Sequence, residues 1–118
     1  MTTASLSLSH WINGEQVAAD RPAESLNPSD VREVVALTPQ GGKAEVDAAV
    51  DAARAAFPAW SEASPEVRSD VLDRAGTLLM ERRQAVGELL SREQGKTLAE
   101  GAGETARAAP TLKYSAAQ

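Results

Sequence analysis

The triplet Gly95-Lys96-Thr97 is the part of this sequence that most resembles a chemical motif, because Gly-Lys-Thr closes the phosphate-binding loop of many nucleotide hydrolases. That loop also needs a glycine five positions before Gly95 and a strand leading into it, so that successive backbone N–H groups surround a phosphate. Leu90 stands at that position, and the residues before it have the pattern of a helix. The sequence therefore argues against a nucleotide site.

A corner between two helices explains all three residues without a ligand. Gly95 follows the last apolar pair of a helical pattern, where a helix end favours a residue in the left-handed region. The stretch from Thr97 to Glu100 has the Thr-x-x-Glu spacing of a capping box, which begins a new helix. We therefore predict that one helix ends at Gly95 and the next begins after Thr97.

The other chemistry-bearing residues have simple structural interpretations. Trp11 and Trp60 could stack on a ligand, but two isolated tryptophans in a chain with 3% aromatic residues are better explained as packing anchors. Five acids stand at helical spacings and predict a solvated face: Asp47, Asp51, Glu66, Asp70 and Asp73. The sequence has no cysteine, which excludes a thiol nucleophile and a cysteine-ligated metal. Its one histidine is His10. No metal site, paired-carboxylate site or Ser/His/Asp set is predicted.

Composition narrows the class of protein further. The 118 residues are enough for one modest domain, and a net charge of −5 argues against binding to nucleic acid or to an anionic membrane. No apolar run is long enough to span a bilayer, and the first residues do not form a secretory signal. The absence of disulfides fits the cytoplasm, which is the predicted location.

Large apolar side chains are scarce. Leu, Ile, Val and Phe supply 22 residues, whereas alanine supplies 23. Alanine favours helices but buries little area, so this chain lies near the compositional edge of independent folding. The sequence predicts either close helix packing through small residues or dependence on another polypeptide.

The first third of the chain predicts strands, after a flexible terminus over residues 1–9. Asn13-Gly14 between short apolar stretches predicts a hairpin, because both central positions of a type I′ turn need positive φ. Ser25-Leu26 predicts a short strand, and the β-branched run over residues 31–38 predicts another.

The remaining residues predict helices. The first covers residues 44–57 and is expected to end at Pro58, and the second starts with the Ser64-Pro65 cap. A break is expected near residues 82–85. Gly101 and Gly103 weaken the last helix and predict a tight contact with another backbone, and Pro110 is expected to break or kink the helix.

In order and at these distances, the segments resemble the amino-terminal part of the aldehyde dehydrogenase superfamily, including members that act on semialdehydes. The resemblance is carried by the hairpin "WINGEQV", the turn and strand "LNPSDVREVVALTP", the "AARAAF" helix followed by Trp60, and the corner Glu93-Gln94-Gly95-Lys96. It implies an α/β fold: a hairpin, one or two further strands and three to four helices. Residues 10–118 would be an incomplete part of the cofactor-binding domain, with strands within 10–38 and helices within 43–117.

The resemblance also implies a chemistry that this chain cannot perform alone. Family members oxidise an aldehyde to an acid with NAD or NADP, by attack of a cysteine and hydride transfer. The nucleophile, the base and the dinucleotide site come later in a family chain than residue 118. We therefore expect the chain to be inactive and to bind no cofactor alone. Its partners would be the remainder of the dehydrogenase domain or another subunit, with self-association through exposed apolar faces.

Two alternatives stay open. The chain could instead be a standalone helical interaction module or modulator that docks on a partner protein. The resemblance further places Arg107 near the substrate entrance, where a guanidinium can bind the distal carboxylate of a semialdehyde. The competing interpretation is a solvated surface arginine, pairing with Glu104 one helical turn earlier.

Overall fold

The computed structural model describes residues 6–18 and 21–118, and these divide into two compact units between Glu62 and Ala63. Among the described residues, the first unit contains five strands and one helix, and the second contains three helices. The predicted α/β class with a hairpin, further strands and a helical remainder is confirmed. Each unit is described separately below.

A three-stranded sheet forms the centre of the first unit. It consists of β1 (Leu6–Ser7), β4 (Pro22–Asn27) and β5 (Asp30–Pro39), in the order β1-β5-β4. Strand β5 pairs in parallel with β1 and antiparallel with β4, whose register shifts around Leu26. Val35, on this central strand, is 1% exposed. Val35 and the neighbouring Ala36 are the buried residues of β5, which confirms the strand that the β-branched run predicted.

The predicted hairpin is present as β2 (His10–Ile12) and β3 (Glu15–Val17). Its two turn residues have positive φ, 54° at Asn13 and 76° at Gly14. A type I′ turn requires this combination, which explains why the Asn-Gly pair stands there.

The prediction of a flexible terminus is wrong for Leu6 and Ser7, which form β1. These residues pair with Ala36 and Leu37 of β5, and the Leu8 N–H donates to the Leu37 carbonyl at 2.9 Å. The partner strand is about thirty residues away, so no local pattern could reveal the pairing. Met1 to Ser5 lie outside the described residues.

Helix α1 (Lys43–Glu62) continues through Pro58, although the sequence predicted that it would end there. Pro58 has no N–H to donate to the Arg54 carbonyl, but no residue of α1 is buried, so water can reach that carbonyl. The Ser61 hydroxyl also donates to the Pro58 carbonyl at 3.0 Å. A single lost hydrogen bond at a solvated position therefore does not end the helix.

The second unit consists of α2 (Pro65–Glu81), α3 (Arg83–Gln94) and α4 (Leu98–Ala116). The Ser64 hydroxyl accepts from the Val67 N–H at 3.4 Å and caps α2 as predicted. The predicted break near residues 82–85 is also confirmed, because α2 and α3 meet at Arg82.

Helix α4 is continuous through Pro110, so a break at the proline is wrong, whereas the alternative of a kink stays a prediction. Packing on both sides of the proline explains the difference. Ala109 is buried, and its carbonyl lies against Gly76 of α2. Beyond the proline, the Lys113 ammonium donates to Asp73 at 2.7 Å and to Thr77 at 2.8 Å, both on α2. Contacts with another helix therefore outweigh the local cost of the proline.

Small residues allow α4 to approach α3 very closely. A Cβ atom added to Gly101 would lie 2.3 Å from both the Gly87 carbonyl oxygen and the Ser91 hydroxyl. One added to Gly87 would lie 2.6 Å from the Ala102 backbone. The predicted tight contact is thus confirmed at Gly101, whereas Gly103 has only the Arg107 guanidinium nearby, at 3.9 Å.

Many large apolar side chains stay exposed. Trp11 is 68% exposed and Phe57 is 66% exposed, and Trp60, Val46 and Val50 are also exposed. The prediction that both tryptophans are packing anchors is therefore wrong within this chain. Val35 is the largest side chain that the described residues bury fully.

The two glycines of α4 predict opposite effects of the same substitution. We expect Gly101→Ala to lower the free energy of unfolding by about 1–3 kcal/mol, because the new methyl group collides with α3. Gly103→Ala is the matched control, and we expect it to be neutral or stabilising by up to about 1 kcal/mol because alanine favours helix. Urea unfolding followed by circular dichroism measures both. Equal midpoints for the two variants would contradict the close contact.

Candidate functional site: a charged cleft at the start of helix α4

The corner before α4 is built by Gly95, Lys96 and Thr97. Gly95 ends α3 with φ of 67°, in the left-handed region as predicted. The Thr97 hydroxyl accepts from the Glu100 N–H at 3.3 Å, and Glu100 Oε2 accepts from the Thr97 N–H at 3.0 Å. The predicted capping box is therefore present, and it fixes where α4 begins.

The same hydrogen bonds show that the corner does not bind phosphate. The Gly95 and Lys96 N–H groups both donate to the Ser91 carbonyl, and the Thr97 N–H is taken by Glu100. A phosphate loop needs such N–H groups free and converging on one point. The corner is structural, as the sequence indicated, and it does not fit the phosphates of a dinucleotide.

A cleft of about 470 Å³ opens between this corner and the first two turns of α4. Its walls combine two cations, two carboxylates and two small residues, namely Lys96, Arg107, Glu100, Glu104, Ala99 and Gly103. Residues at α4 positions three and four apart share one face of a helix, which explains why Glu100, Glu104 and Arg107 line the same cleft. We call this feature the charged cleft.

The Lys96–Glu104 ion pair dominates the electrostatics of the charged cleft. The Lys96 ammonium donates to Glu104 Oε2, and the Lys96 side chain is only 21% exposed. This hydrogen bond and the charge of Lys96 hold the pKa of Glu104 below its ordinary value, and the charge of Arg107 adds to the effect. No sequence signal indicated this pair, because its members are eight residues apart on opposite sides of the corner.

The Glu100 carboxylate is held by hydrogen bonds of the capping box. Hydrogen bonds from the Thr97 hydroxyl and the Thr97 N–H hold the pKa of Glu100 below its ordinary value, and Lys96 adds a smaller effect. The Glu100 carboxylate therefore remains charged and fixed at the positive end of α4.

Arg107 lies on the wall of the charged cleft, as an exposed side chain. The competing interpretation allowed a pair with Glu104, but no hydrogen bond joins the two side chains, and Glu104 Oε2 accepts from Lys96 instead. Within residues 6–18 and 21–118, the structure shows no hydrogen bond from the Arg107 guanidinium, whereas the Arg107 carbonyl accepts from the Thr111 hydroxyl. The guanidinium can therefore offer its donors to an anion from outside.

The other sequence candidates do not gather into a site. The five acids of the predicted solvated face are exposed as expected, and Asp73 pairs with Lys113. No group of three potential metal ligands is found among the residues that the structure describes. In the same part of the chain, no helix has the length and apolar character needed to cross a lipid bilayer.

The aldehyde dehydrogenase family profile matches residues 11–118 of the sequence. This chain belongs to the aldehyde dehydrogenase family. It is 41% identical over 111 residues to malonate-semialdehyde dehydrogenase from Pseudomonas aeruginosa, an alignment covering 93% of this chain and 22% of that protein. It is 42% identical over 98 residues to human 2-aminomuconic semialdehyde dehydrogenase, covering 83% of this chain and 20% of that protein.

Solved structures of the family show the same fold. An NAD-dependent aldehyde dehydrogenase from Sinorhizobium meliloti superposes with a TM-score of 0.93 at 28% identity, over 98% of this chain and 24% of that one. A variant of 1-pyrroline-5-carboxylate dehydrogenase from Thermus thermophilus gives 0.91 at 36% identity, over 95% and 22%. The chain spans about a fifth of the length of the curated relatives it matches, 22% for the Pseudomonas aeruginosa protein. This share is consistent with an amino-terminal segment.

Acid should weaken the start of α4 in this aldehyde dehydrogenase segment. The folded-state pKa values of Glu100 and Glu104 lie below their ordinary value of 4.5, so these carboxylates stabilise the fold above that value. That stability should disappear as the pH falls through the lowered folded-state values. We expect the melting temperature to decrease on acidification from neutral pH to about pH 3.

Melting followed by circular dichroism across this pH range provides the measurement, with Glu100→Gln as the variant and Glu88→Gln on α3 as the control. Glu100→Gln should reduce the acid-dependent decrease, whereas the Glu88 variant should retain all of it. The same decrease in both variants would contradict the assignment.

Proposed function

We propose that this chain is the amino-terminal portion of an NAD(P)-dependent aldehyde dehydrogenase that oxidises an aldehyde or semialdehyde to the carboxylic acid. The observation that carries the proposal is the family match over residues 11–118, supported by superposition on several dehydrogenases. Residues 10–118 would form the first part of the cofactor-binding domain. The enzyme would act in the cytoplasm.

The chain alone would not catalyse this reaction. The family's first step is attack by a cysteine, and the 118 residues contain none. NAD or NADP would bind to the rest of the enzyme, because the backbone N–H groups of the Gly95–Thr97 corner are already used within the fold. The part played by this chain would be to support that body and to line its substrate entrance.

The exposed apolar residues support a partner in the remainder of the dehydrogenase or in another subunit. Helix α1 has no buried residue, although Val46, Val50 and Phe57 lie along it. Beside it, Trp11 and Ile12 of the hairpin line a groove of about 380 Å³ with alanines of α1. Covering such surfaces is favourable by about 25 cal/mol per Å² of apolar area, so a chain without that partner would associate with itself.

Arg107 would bind the distal carboxylate of a semialdehyde at the substrate entrance. Its guanidinium lines the charged cleft and makes no hydrogen bond among the described residues, so its donors remain available. Two of the relatives named above are semialdehyde dehydrogenases, which supports a semialdehyde as the substrate of the whole enzyme.

A second candidate function is a standalone helical interaction module or modulator. The exposed Val67 and Val71 of α2 favour it, because such a module needs an apolar stripe to hold a partner helix. Cooperative melting of a monomer would favour the module. Weak folding with self-association would favour a segment of a larger enzyme.

The lack of a nucleophile predicts that the purified 118-residue chain oxidises no aldehyde. We expect no formation of reduced nicotinamide from NAD or NADP with a panel of aldehydes and semialdehydes. A complete dehydrogenase that begins with this segment serves as the positive control. Turnover by the isolated chain above the uncatalysed rate would contradict the proposal that this chain alone does not catalyse the reaction.

The role of Arg107 predicts a selective loss of affinity in the complete enzyme. Arg107→Gln should raise KM for an acidic semialdehyde about tenfold or more, since a hydrogen bond to a charged group contributes about 1.5–3 kcal/mol. KM for a neutral aldehyde of similar length should not change. Arg68→Gln on α2, away from the charged cleft, is the matched control. An equal rise in KM for both substrates would contradict this role.

A further inference from the structure

We propose that Lys96 and Glu104 are positioning residues that act as a pair: Lys96 holds Glu104 away from Arg107, which leaves one guanidinium free to bind one carboxylate. The proposal deepens the function proposed above and rests on the role given there to Arg107. It assigns the charged cleft to aldehydes that carry a single carboxylate group.

Three of the four charged groups of the charged cleft are already hydrogen-bonded within the fold. Glu100 is bound by the hydroxyl and the N–H of Thr97, and the Lys96 ammonium is bound by Glu104. The formal charges of these four groups sum to zero. Arg107 is therefore the one of the four whose charged group makes no hydrogen bond among the described residues, and its charge would be neutralised if an internal carboxylate bound it.

Glu104 is the internal carboxylate that could do so. It stands three residues before Arg107 on α4, a spacing at which acidic and basic side chains meet on a helix. The charge of Arg107 already acts on Glu104, so the two groups are close in the fold. The Lys96 ammonium instead takes Glu104 Oε2, from the other side of the corner.

The position of Lys96 explains why it holds Glu104 effectively. Its side chain is largely shielded from water, at 21% exposure, and its backbone N–H is fixed by the Ser91 carbonyl. Arg107 is exposed, so water would screen a bond from Arg107 to Glu104 more strongly than it screens the bond from Lys96, which favours Lys96 as the partner of Glu104.

The arrangement limits the charge of the ligand. A single carboxylate matches the one unengaged guanidinium, which binds it with two parallel hydrogen bonds. A dianion would leave its second charge facing Glu100 and Glu104, and like charges at close range repel. The charged cleft should therefore distinguish a semialdehyde with one carboxylate from both a neutral aldehyde and a dianion.

The decisive test is a charge-neutral double substitution in the complete dehydrogenase that carries this segment. Lys96→Gln should release Glu104 to bind Arg107, and KM for a straight-chain semialdehyde with one carboxylate should rise about tenfold. Lys96→Gln combined with Glu104→Gln should return KM to within about threefold of the wild type. Lys96→Arg keeps the charge and should preserve KM. KM for a neutral aldehyde should not change in any of these variants.

Inhibition by anions tests the charge limit. Glu104→Gln alone frees Lys96 and adds a second cation to the charged cleft. Malonate, a dianion, should then inhibit about tenfold more strongly, whereas the effect on acetate should be smaller, since a dianion has a second charge to place. Equal changes for the two anions would overturn the charge limit.

The outcomes separate this inference from the function on which it rests. If Arg107→Gln leaves KM for the semialdehyde unchanged, the role of Arg107 is wrong and both proposals fail. If Arg107→Gln raises KM but Lys96→Gln does not, Arg107 binds the carboxylate and the positioning role is overturned. A double variant as impaired as Lys96→Gln would also overturn it, because the loss would then come from the lysine itself or from damage to the corner.

Discussion

The contact between Gly87 of α3 and Gly101 of α4 is the constraint on which the geometry of the charged cleft depends. At this point the two backbones are too close for any side chain between them. The Ser91 hydroxyl shares its one proton between the Gly87 carbonyl at 2.8 Å, within α3, and the Thr97 carbonyl at 2.9 Å. The contact with Thr97 ties the end of α3 to the start of α4. Because the corner is fixed, Lys96 reaches back over the first turns of α4 to Glu104.

Close approach of helices through small residues also explains why the chain is rich in alanine and poor in large apolar residues. Gly76, Ser91 and Ala109 are buried between helices, where a larger chain would use leucine or phenylalanine. Such contacts fix geometry but remove little apolar area from water, so they stabilise weakly. The large apolar residues instead remain exposed, including Phe57 and Trp60 on α1. The chain spans about a fifth of its relatives' length, and this distribution is the one expected under the proposal that the rest of the enzyme covers these residues.

Features that depend on neighbouring residues could be predicted from the sequence, and features that depend on distant residues could not. The Asn13-Gly14 turn, the Ser64 cap and the Thr97 capping box each involve residues within a few positions, so residue types alone revealed them. The strand at Leu6–Ser7 depends on a distant partner, and the passage of α4 through Pro110 depends on packing against α2. The sequence singled out Arg107 for a substrate entrance, which stays a prediction, but it did not indicate the Lys96–Glu104 pair, whose members are eight residues apart.

The opening triplet shows why residue types alone do not determine a site. Gly95, Lys96 and Thr97 have the side chains of a phosphate loop, but their N–H groups donate to Ser91 and Glu100 and so cannot surround a phosphate. The lysine is nevertheless placed for an electrostatic role, because the fixed corner turns its ammonium toward a carboxylate rather than toward a ligand. Under the proposal made for the charged cleft, Lys96 would affect substrate recognition without touching substrate, by keeping Glu104 from pairing with Arg107.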